Sequence, residues 1–377
     1  MTYNLTAPCH FGLEKTLSFE LKRAGAENIA VSDGRVNFTG DEHCIARANI
    51  TCSVAERIGI VLADFDTRGS FDVVFEQAQR IPIEQYVGRN DRFPITKGHS
   101  LSSKLTSIPA LQRTIKKGLV MRMQQAYGIS GRIEETGELF PITFLLMKDR
   151  MTIVLDTSGE GLHKRGYRAM SNAAPIKETL AAGLIDLARV RESDLVIDPF
   201  CGSGTILIEA AFKAMNIAPC LNRNFISMSW GCIDRNVWEE EFDRARSEIR
   251  TDSGFMAYGY DIDKDAAELA ASNAWKAGVE KHITVERRAV KDFVYPDRPC
   301  KVICNPPYAE RMMEKEQVEQ IYRDMGKAML PIGENQLYII TGNEHFEENF
   351  GAKAAKNRKL YNGMLMCRLF SYIGAKK

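Results

Sequence analysis

Along the first 65 residues the spacing of apolar positions alternates between the periods of strands and helices. Tyr3 to Ala7 reads as a strand, and Gly12 to Lys22 places Leu13, Leu17 and Leu21 on one helical face. Ile29 to Val31 and Arg35 to Phe38 flank Asp33-Gly34, a two-residue turn that suits a hairpin. Glu42 to Ala48 predicts a second helix and Ile58 to Phe65 a further strand. The order strand, helix, strand, strand, helix, strand predicts a ferredoxin-like α+β unit over residues 1–65.

From Ser107 the apolar positions Ile108, Leu111, Ile115, Leu119 and Met123 step by three and four, which predicts a helix with one buried stripe. Arg113, Lys116 and Lys117 fall off that stripe, toward solvent. Gly98 to Lys104 (Gly-His-Ser-Leu-Ser-Ser-Lys) reads as the loop ahead of the helix. Strands at Ile142 to Met147 and Thr152 to Leu155 close this second segment, residues 66–165, and Lys164 to Arg168 reads as a basic linker. In residues 166–377 strand patterns at Leu195–Ile197, Met256–Tyr260, Ile283–Arg287, Val302–Cys304 and Gln336–Thr341 alternate with helical ones. That alternation predicts a parallel sheet with helices on both faces. Met364 to Ile373 follows an Asn362-Gly363 turn instead of a helix, so an antiparallel pairing is expected for it.

Fifty Lys plus Arg against 49 Asp plus Glu leave a net charge of +1, so only the distribution of charge can point to a partner. The clear asymmetry lies between Asp91 and Ser130. There Arg92, Lys97, Lys104, Arg113, Lys116, Lys117 and Arg122 face Asp91 alone, a balance of +6, whereas residues 1–90 sum to −3. By itself such a run is an ordinary solvated helix face. Beside the small donors of residues 98–104, however, Lys97, Lys104, Arg113, Lys116 and Lys117 become candidates for holding phosphate oxygens. Nine cysteines at irregular spacing, with no C-x-x-C and no secretory leader, read as reduced thiols in a cytoplasmic protein. Cys300 and Cys304 flank a strand-like Lys-Val-Ile, so no metal site is expected, and no apolar run is long enough to span a membrane.

Three stretches carry candidate chemistry. In Leu195-Val-Ile-Asp-Pro-Phe-Cys-Gly-Ser-Gly-Thr205 an apolar strand ends at Asp198, passes Gly202 and Gly204, and enters a helix. Glycines there let the backbone approach a ligand at the carboxyl edge of a doubly wound sheet. Leu207 stands where the dinucleotide fingerprint has its third glycine, and the NTP loop signature G-K-[ST] is missing. An acid at that strand end repels pyrophosphate but suits the cationic amine of S-adenosylmethionine. Asp261, ending the next strand, can accept from both ribose hydroxyls. It lies 63 residues after Asp198 because residues from about 217 to 253 look inserted. That insertion holds Trp230, Trp238 and Glu239-Glu240-Glu241, which reads as a solvated helix face.

In Val302-Ile-Cys-Asn-Pro-Pro-Tyr308 a strand runs into two prolines that fix the backbone. The Asn305 amide oxygen and the Pro306 carbonyl can accept both N–H groups of an exocyclic amine, favouring a pyramidal nitrogen. Pro307 and Tyr308 complete the turn, and Tyr308 offers a face on which a flipped base can stack. Cys304 as a nucleophile for base C5 methylation is the rival reading, but no base adjoins it. Cys201 reads as packing, and the six histidines form no constellation.

With these motifs the chain resembles the THUMP-domain N2-guanine RNA methyltransferases, close to the bacterial RlmL-type enzymes. Further family-like stretches are Ile95-Thr-Lys-Gly-His-Ser, Leu162-His-Lys-Arg-Gly-Tyr-Arg and Ala174-Pro-Ile-Lys-Glu-Thr-Leu. The resemblance implies a ferredoxin-like subdomain (1–65), a THUMP RNA-binding domain (66–165) and a Rossmann-like methyltransferase domain with a reversed final hairpin (166–377). It also implies S-adenosylmethionine as cofactor. Asp198, Phe200, Gly202, Ser203 and Gly204 would line its methionine moiety, Asp261 the ribose and Ile262 the adenine; Asn305 to Tyr308 would hold the guanine. Where the family often has an Asp for the adenine amine, this chain reads Arg288-Ala289-Val290-Lys291-Asp292, leaving Ala289 and a displaced Asp292 for that role. The expected activity is guanine-N2 methylation of structured RNA, 23S rRNA first. The alternatives are tRNA guanine-N2 methylation, DNA adenine-N6 methylation and a non-catalytic RNA-binding assembly factor. Some RlmL-type enzymes carry a second, fused methyltransferase domain; for this chain one activity is expected.

Overall fold

A computed structural model describes residues 1–168, 176–307, 315–363 and 365–374. The N-terminal half is built from β1 (Tyr3–Pro8), α1 (Glu14–Arg23), β2 (Glu27–Ser32), β3 (Arg35–Gly40), α2 (Glu42–Thr51) and β4 (Gly59–Asp66). It continues with α3 (Phe71–Arg80), β5 (Ile95–Leu101), α4 (Ile108–Tyr127), β6 (Ile142–Met147) and β7 (Arg150–Asp156). Two of these helices, α2 and α3, are started by side-chain caps. The Asp41 carboxylate accepts from the Cys44 N–H at 2.8 Å, and Ser70 Oγ accepts from Asp72 N–H at 3.2 Å. The strands form one sheet in the order β2-β3-β1-β4-β7-β6-β5. Its first four strands have the ferredoxin-like order, and β4 pairs with β1 on one edge and β7 on the other, so the sheet runs on without a break past residue 65.

One expectation changes here and one element is new. Gly98 to Leu101 belong to β5, hydrogen-bonded in parallel to β6, and only the residues after Leu101 form the loop. Helix α3, with a buried face at Val74 and Ala78, was not anticipated from the spacing.

The C-terminal half contains α5 (Glu178–Leu187), β8 (Leu195–Asp198), α6 (Thr205–Met215), α7 (Arg235–Ser247), β9 (Met256–Asp261), α8 (Lys264–Lys276) and β10 (Ile283–Arg287). Then come β11 (Lys301–Cys304), α9 (Lys315–Met329), β12 (Gln336–Thr341), α10 (Phe346–Phe350), β13 (Lys356–Asn362) and β14 (Leu365–Ile373). Its sheet order is β10-β9-β8-β11-β12-β14-β13. The first five strands are parallel, and β14 is antiparallel to both its neighbours. This is a Rossmann-like sheet closed by a reversed hairpin. Strand β13 escapes a hydrophobic-pattern search because it lies at the sheet edge and only Leu360 of its seven residues is buried. Among the described residues no helix is long and apolar enough to cross a membrane.

The halves are joined through buried chemistry that the sequence reading took for solvent-facing. Lys164 to Arg168 is no open linker. Arg165 and Tyr167 are both buried, and their side chains converge on Glu209 of α6, with the Tyr167 hydroxyl donating at 3.1 Å. Burial pushes the Glu209 carboxyl up to about 7 even beside the guanidinium. Glu239 and Glu240 are exposed, but Glu241 is buried, because α7 packs on α2. Arg47 Nη2 donates to Glu241 Oε1 at 2.7 Å, and His43 and Arg244 reach the same carboxylate. Trp230 stacks on Phe140 with ring centroids 4.6 Å apart, and its Nε1–H donates to the Leu139 carbonyl at 3.0 Å. The inserted segment is therefore the clamp between the halves.

Candidate active site at the carboxyl edge of the second sheet

Strand β8 is buried along its whole length, as expected for the centre of a parallel sheet. Its register sets Asp198 beside Gly259 of β9 and Ile197 beside Val302 of β11. Asp198, Asp261 and Asn305 consequently stand at the carboxyl ends of three adjacent strands, the edge where open α/β sheets bind ligands.

Asp198 is 1% exposed, and its Oδ1 accepts from the Phe200 N–H at 3.0 Å. Burial pushes its carboxyl up to about 8; the Phe200 amide opposes that rise and the nearby Asp261 charge adds to it. The turn that follows is pinned by Cys201 N–H to the Tyr260 carbonyl at 2.9 Å and Gly204 N–H to the Cys201 carbonyl at 2.7 Å. Its two glycines serve different ends. Gly202 has φ +50°, and a Cβ there would meet no heavy atom within 4 Å among the described residues, so its bare face is open on their side. Gly204 has φ +80°, and a Cβ would lie 3.1 Å from that of Ala270, so it lets α6 start against α8. Ser203 is buried: its carbonyl accepts from Asn273 Nδ2 at 2.9 Å, and its hydroxyl is 3.1 Å from that of Thr205.

Each Asp261 oxygen takes one backbone donor, Gly202 N–H on Oδ2 and Asp263 N–H on Oδ1, both at 3.0 Å. Carboxylate oxygens accept more than one hydrogen bond, which leaves capacity for a diol. Ile262 is 68% exposed beside it, its carbonyl held by Arg287 Nε at 3.0 Å. Arg288 bonds through its N–H to the Asp261 carbonyl at 2.8 Å and lays its guanidinium 4.3 Å from the Tyr260 ring centre. Ala289 is half-buried, whereas Asp292 is exposed in the turn Val290–Asp292; among the described residues no hydrogen bond ties its carboxylate to the Asp198 or Asp261 loops.

The Asn305 amide oxygen is buried and has no donor among the described residues. Pro306 is buried, and the Pro307 carbonyl accepts from the Tyr322 hydroxyl at 3.0 Å. That hydroxyl also lies 3.0 Å from Thr341 Oγ1, so α9 and the end of β12 hold the turn. Tyr322 was missed by sequence reasoning because it occupies an apolar-face position of a helix, and nothing local marks its hydroxyl as an anchor. Tyr308 lies outside the described residues. Cys304 is fully buried and its thiol is pushed well above its ordinary value by burial, the opposite of an activated nucleophile.

Of the basic candidates, Lys97, Lys104, Arg113 and Lys117 are exposed. Lys116 is not: its ammonium sits 3.3 Å from the Phe93 ring centre and 2.7 Å from Glu135, so a phosphate would have to displace both. A polar cleft of about 610 Å³ between α1, α2 and α5 to α7 is lined by Arg191 to Ser193, just before β8. It therefore lies toward the amino ends of the strands, away from this edge.

The assembled groups suit one class of ligand. A buried acid answers an ammonium, a carboxylate with spare acceptor capacity answers a ribose, and a glycine with an open face admits a close backbone approach. S-adenosylmethionine presents the first two, and an amine N–H matches the Asn305 oxygen, which no donor meets among the described residues.

Residues 165–371 match the RMKL-like methyltransferase domain, and residues 4–59 match the RlmL ferredoxin-like domain. A Bacillus subtilis protein named "Putative RNA methyltransferase YpsC" is 39% identical over 371 residues, covering 98% of this chain and 96% of its own. "Ribosomal RNA large subunit methyltransferase K/L" of Desulfotalea psychrophila is 30% identical and covers 100% of this chain, which spans only 53% of that protein. The structure of SMU.472, "a putative methyltransferase complexed with SAH", is 34% identical with a TM-score of 0.93, covering 100% and 99% of the two chains. "A predicted N6-adenine-specific DNA methylase" from Listeria monocytogenes is 40% identical with a TM-score of 0.92, covering 100% and 97%. Matched over more than half its length by that catalytic domain, and similar to the Bacillus protein from end to end, the chain belongs to the RMKL-like methyltransferase family.

Proposed function

We propose that this protein is an S-adenosylmethionine-dependent RNA methyltransferase acting in the cytoplasm on the N2 amine of a guanine, with large-subunit rRNA as its substrate. Asp198, with the surrounding turn of Phe200, Gly202, Ser203 and Gly204, would hold the methionine moiety of the cofactor, Asp261 its ribose and Ile262 its adenine. When bound, the cofactor supplies a methyl group made electrophilic by its sulfonium. Asn305 Oδ1 and the Pro306 carbonyl accept the two N–H groups of the target amine and hold its lone pair toward the donor; once the N–C bond forms and the S–C bond breaks, the extra proton on nitrogen is lost to solvent. The single observation that carries this reading is the buried Asn305 oxygen, which has no donor among the described residues and stands at the same sheet edge as Asp198 and Asp261. Leaving such an acceptor unpaired costs about 1–3 kcal/mol, which an incoming amine recovers.

Residues 66–165 serve in this reading as the THUMP unit that grips RNA through Lys97, Lys104, Arg113 and Lys117. The names of the Bacillus and Desulfotalea relatives support RNA, and the second supports rRNA. The name of the Listeria structure favours a second reading, adenine-N6 methylation of DNA, which the same amine clamp serves; the RlmL-type N-terminal match weighs against it. Purified protein with methyl-labelled cofactor should label rRNA from cells lacking the gene, and the product nucleoside should be N2-methylguanosine. Label confined to tRNA would move the substrate, and N6-methyladenine in DNA would replace the reading.

A further inference from the structure

A second charge asymmetry, in a part of the chain given no role above, lies at its C-terminus. Residues 349–377 contain seven Lys and Arg and no Asp or Glu. The described ones, Lys353, Lys356, Arg358, Lys359 and Arg368, are all exposed, and none has a carboxylate within ion-pair distance among the described residues. Lysines on an edge strand often only discourage sheet-to-sheet association. That account covers β13 but not Arg368, which stands on β14, an interior strand.

The register shows where these cations lie. Arg368 pairs with Thr341 of β12 on one side and Lys359 of β13 on the other. Thr341 is the last residue of β12, and Cys304, immediately before Asn305, pairs with Ile339. Lys359 and Arg368 therefore sit level with the carboxyl edge that carries the candidate site. Neighbouring strands are about 4.8 Å apart, so β13 lies roughly 14 Å across the sheet from β11, within the span of a few nucleotides of extended strand.

Aromatic faces adjoin the cations. Tyr361 shares a strand face with Lys359, whose ammonium is 5.4 Å from its ring centre. Phe11, from the N-terminal half, packs on Tyr361 with centroids 5.6 Å apart, yet remains 49% exposed. Arg358 Nη1 donates to the Gly12 carbonyl at 3.3 Å and ties the two halves together there. Cations for phosphates beside aromatic faces for bases are the constitution of a single-strand platform.

We propose that the β13–β14 hairpin and Phe11 form an RNA subsite for unpaired nucleotides flanking the target base. Lys359 and Arg368 hold phosphates and the Phe11–Tyr361 pair takes a base. This rests on the RNA reading above. The test measures binding of the full chain to a large-subunit rRNA fragment over a salt series, for native protein, Lys359→Gln/Arg368→Gln and Phe11→Ala. The first variant leaves two phosphates without their cations, which should lower the log–log salt slope by about 1.4, and affinity should fall about tenfold. Phe11→Ala should weaken binding about tenfold with the slope kept. Cofactor affinity by calorimetry should stay native in both, which shows them folded. As a measurement on the unaltered chain, thiouridine-labelled rRNA fragment should photo-cross-link to the peptides holding Phe11 or Tyr361. Native binding and slope in both variants, or cross-links that avoid these peptides while rRNA is still methylated, overturn the subsite alone. Failure of the unaltered chain to bind or methylate rRNA overturns the RNA reading, and the subsite with it.

Discussion

At neutral pH the Asp198 carboxyl is mostly protonated in the free protein, because burial has pushed it up to about 8. An ammonium bound against it favours the ionised form and draws that value down. The sign follows: the free protein carries the proton below pH 8 and the complex does not, so cofactor affinity should rise with pH through neutrality and pass a maximum near 8, where the cofactor's own α-amine begins to lose its proton (about 7.7–8.0). Binding at pH 7 should release close to one proton, measurable by calorimetry in buffers of different ionisation enthalpy. Asp198→Asn should abolish that release and flatten the pH dependence; release unchanged in the variant would remove Asp198 from amine recognition. The position of Asp198 at a strand end was legible from Leu195-Val-Ile-Asp and the glycines after it. Its protonation state was not, because that depends on what surrounds the carboxyl. Lys116 makes the same point from the other side: the run of charge around it was legible, but Glu135, which neutralises it, lies outside that window and arrives only through folding.

Among the elements, those with a strong period were legible. The long stripe of α4, the hairpin at Asp33-Gly34 and the strand leading to Asn305 all stand where apolar spacing put them. Elements whose role is set by a distant partner were not. Helix α7 looked solvated because its acidic run gives no hint of Arg47 or of α2, and β13 went unread because an edge strand can be polar on both faces. The inserted segment also sets a stability contrast. Trp230 is 1% exposed and stacked on Phe140, whereas Trp275 on α8 is 68% exposed. Trp230→Ala should destabilise the protein by about 3–5 kcal/mol, and Trp275→Ala should stay within about 0.5 kcal/mol, both read from denaturant unfolding midpoints. Equal effects would show that the insertion does not clamp the halves.

On the scale of the molecule, strand order does what no single motif does. Asp198, Asp261 and Asn305 are far apart in sequence and come together because β9, β8 and β11 are neighbours. The alternation of strands and helices implied such a sheet, and the turn after Asn362 implied its reversed end. The continuity of the first sheet past residue 65 and the docking of the halves through Arg165, Glu209 and Glu241 became visible only in three dimensions. The central claim is that the shared carboxyl edge seats a sulfonium donor beside a clamp for an amine. Its most direct test is single-turnover methyl transfer by Asn305→Ala, with cofactor affinity measured on the same protein. The account predicts a fall in rate of about 100-fold or more, the scale of losing one aligned polar group from a transition state, with cofactor affinity unchanged. Transfer at the native rate would contradict it.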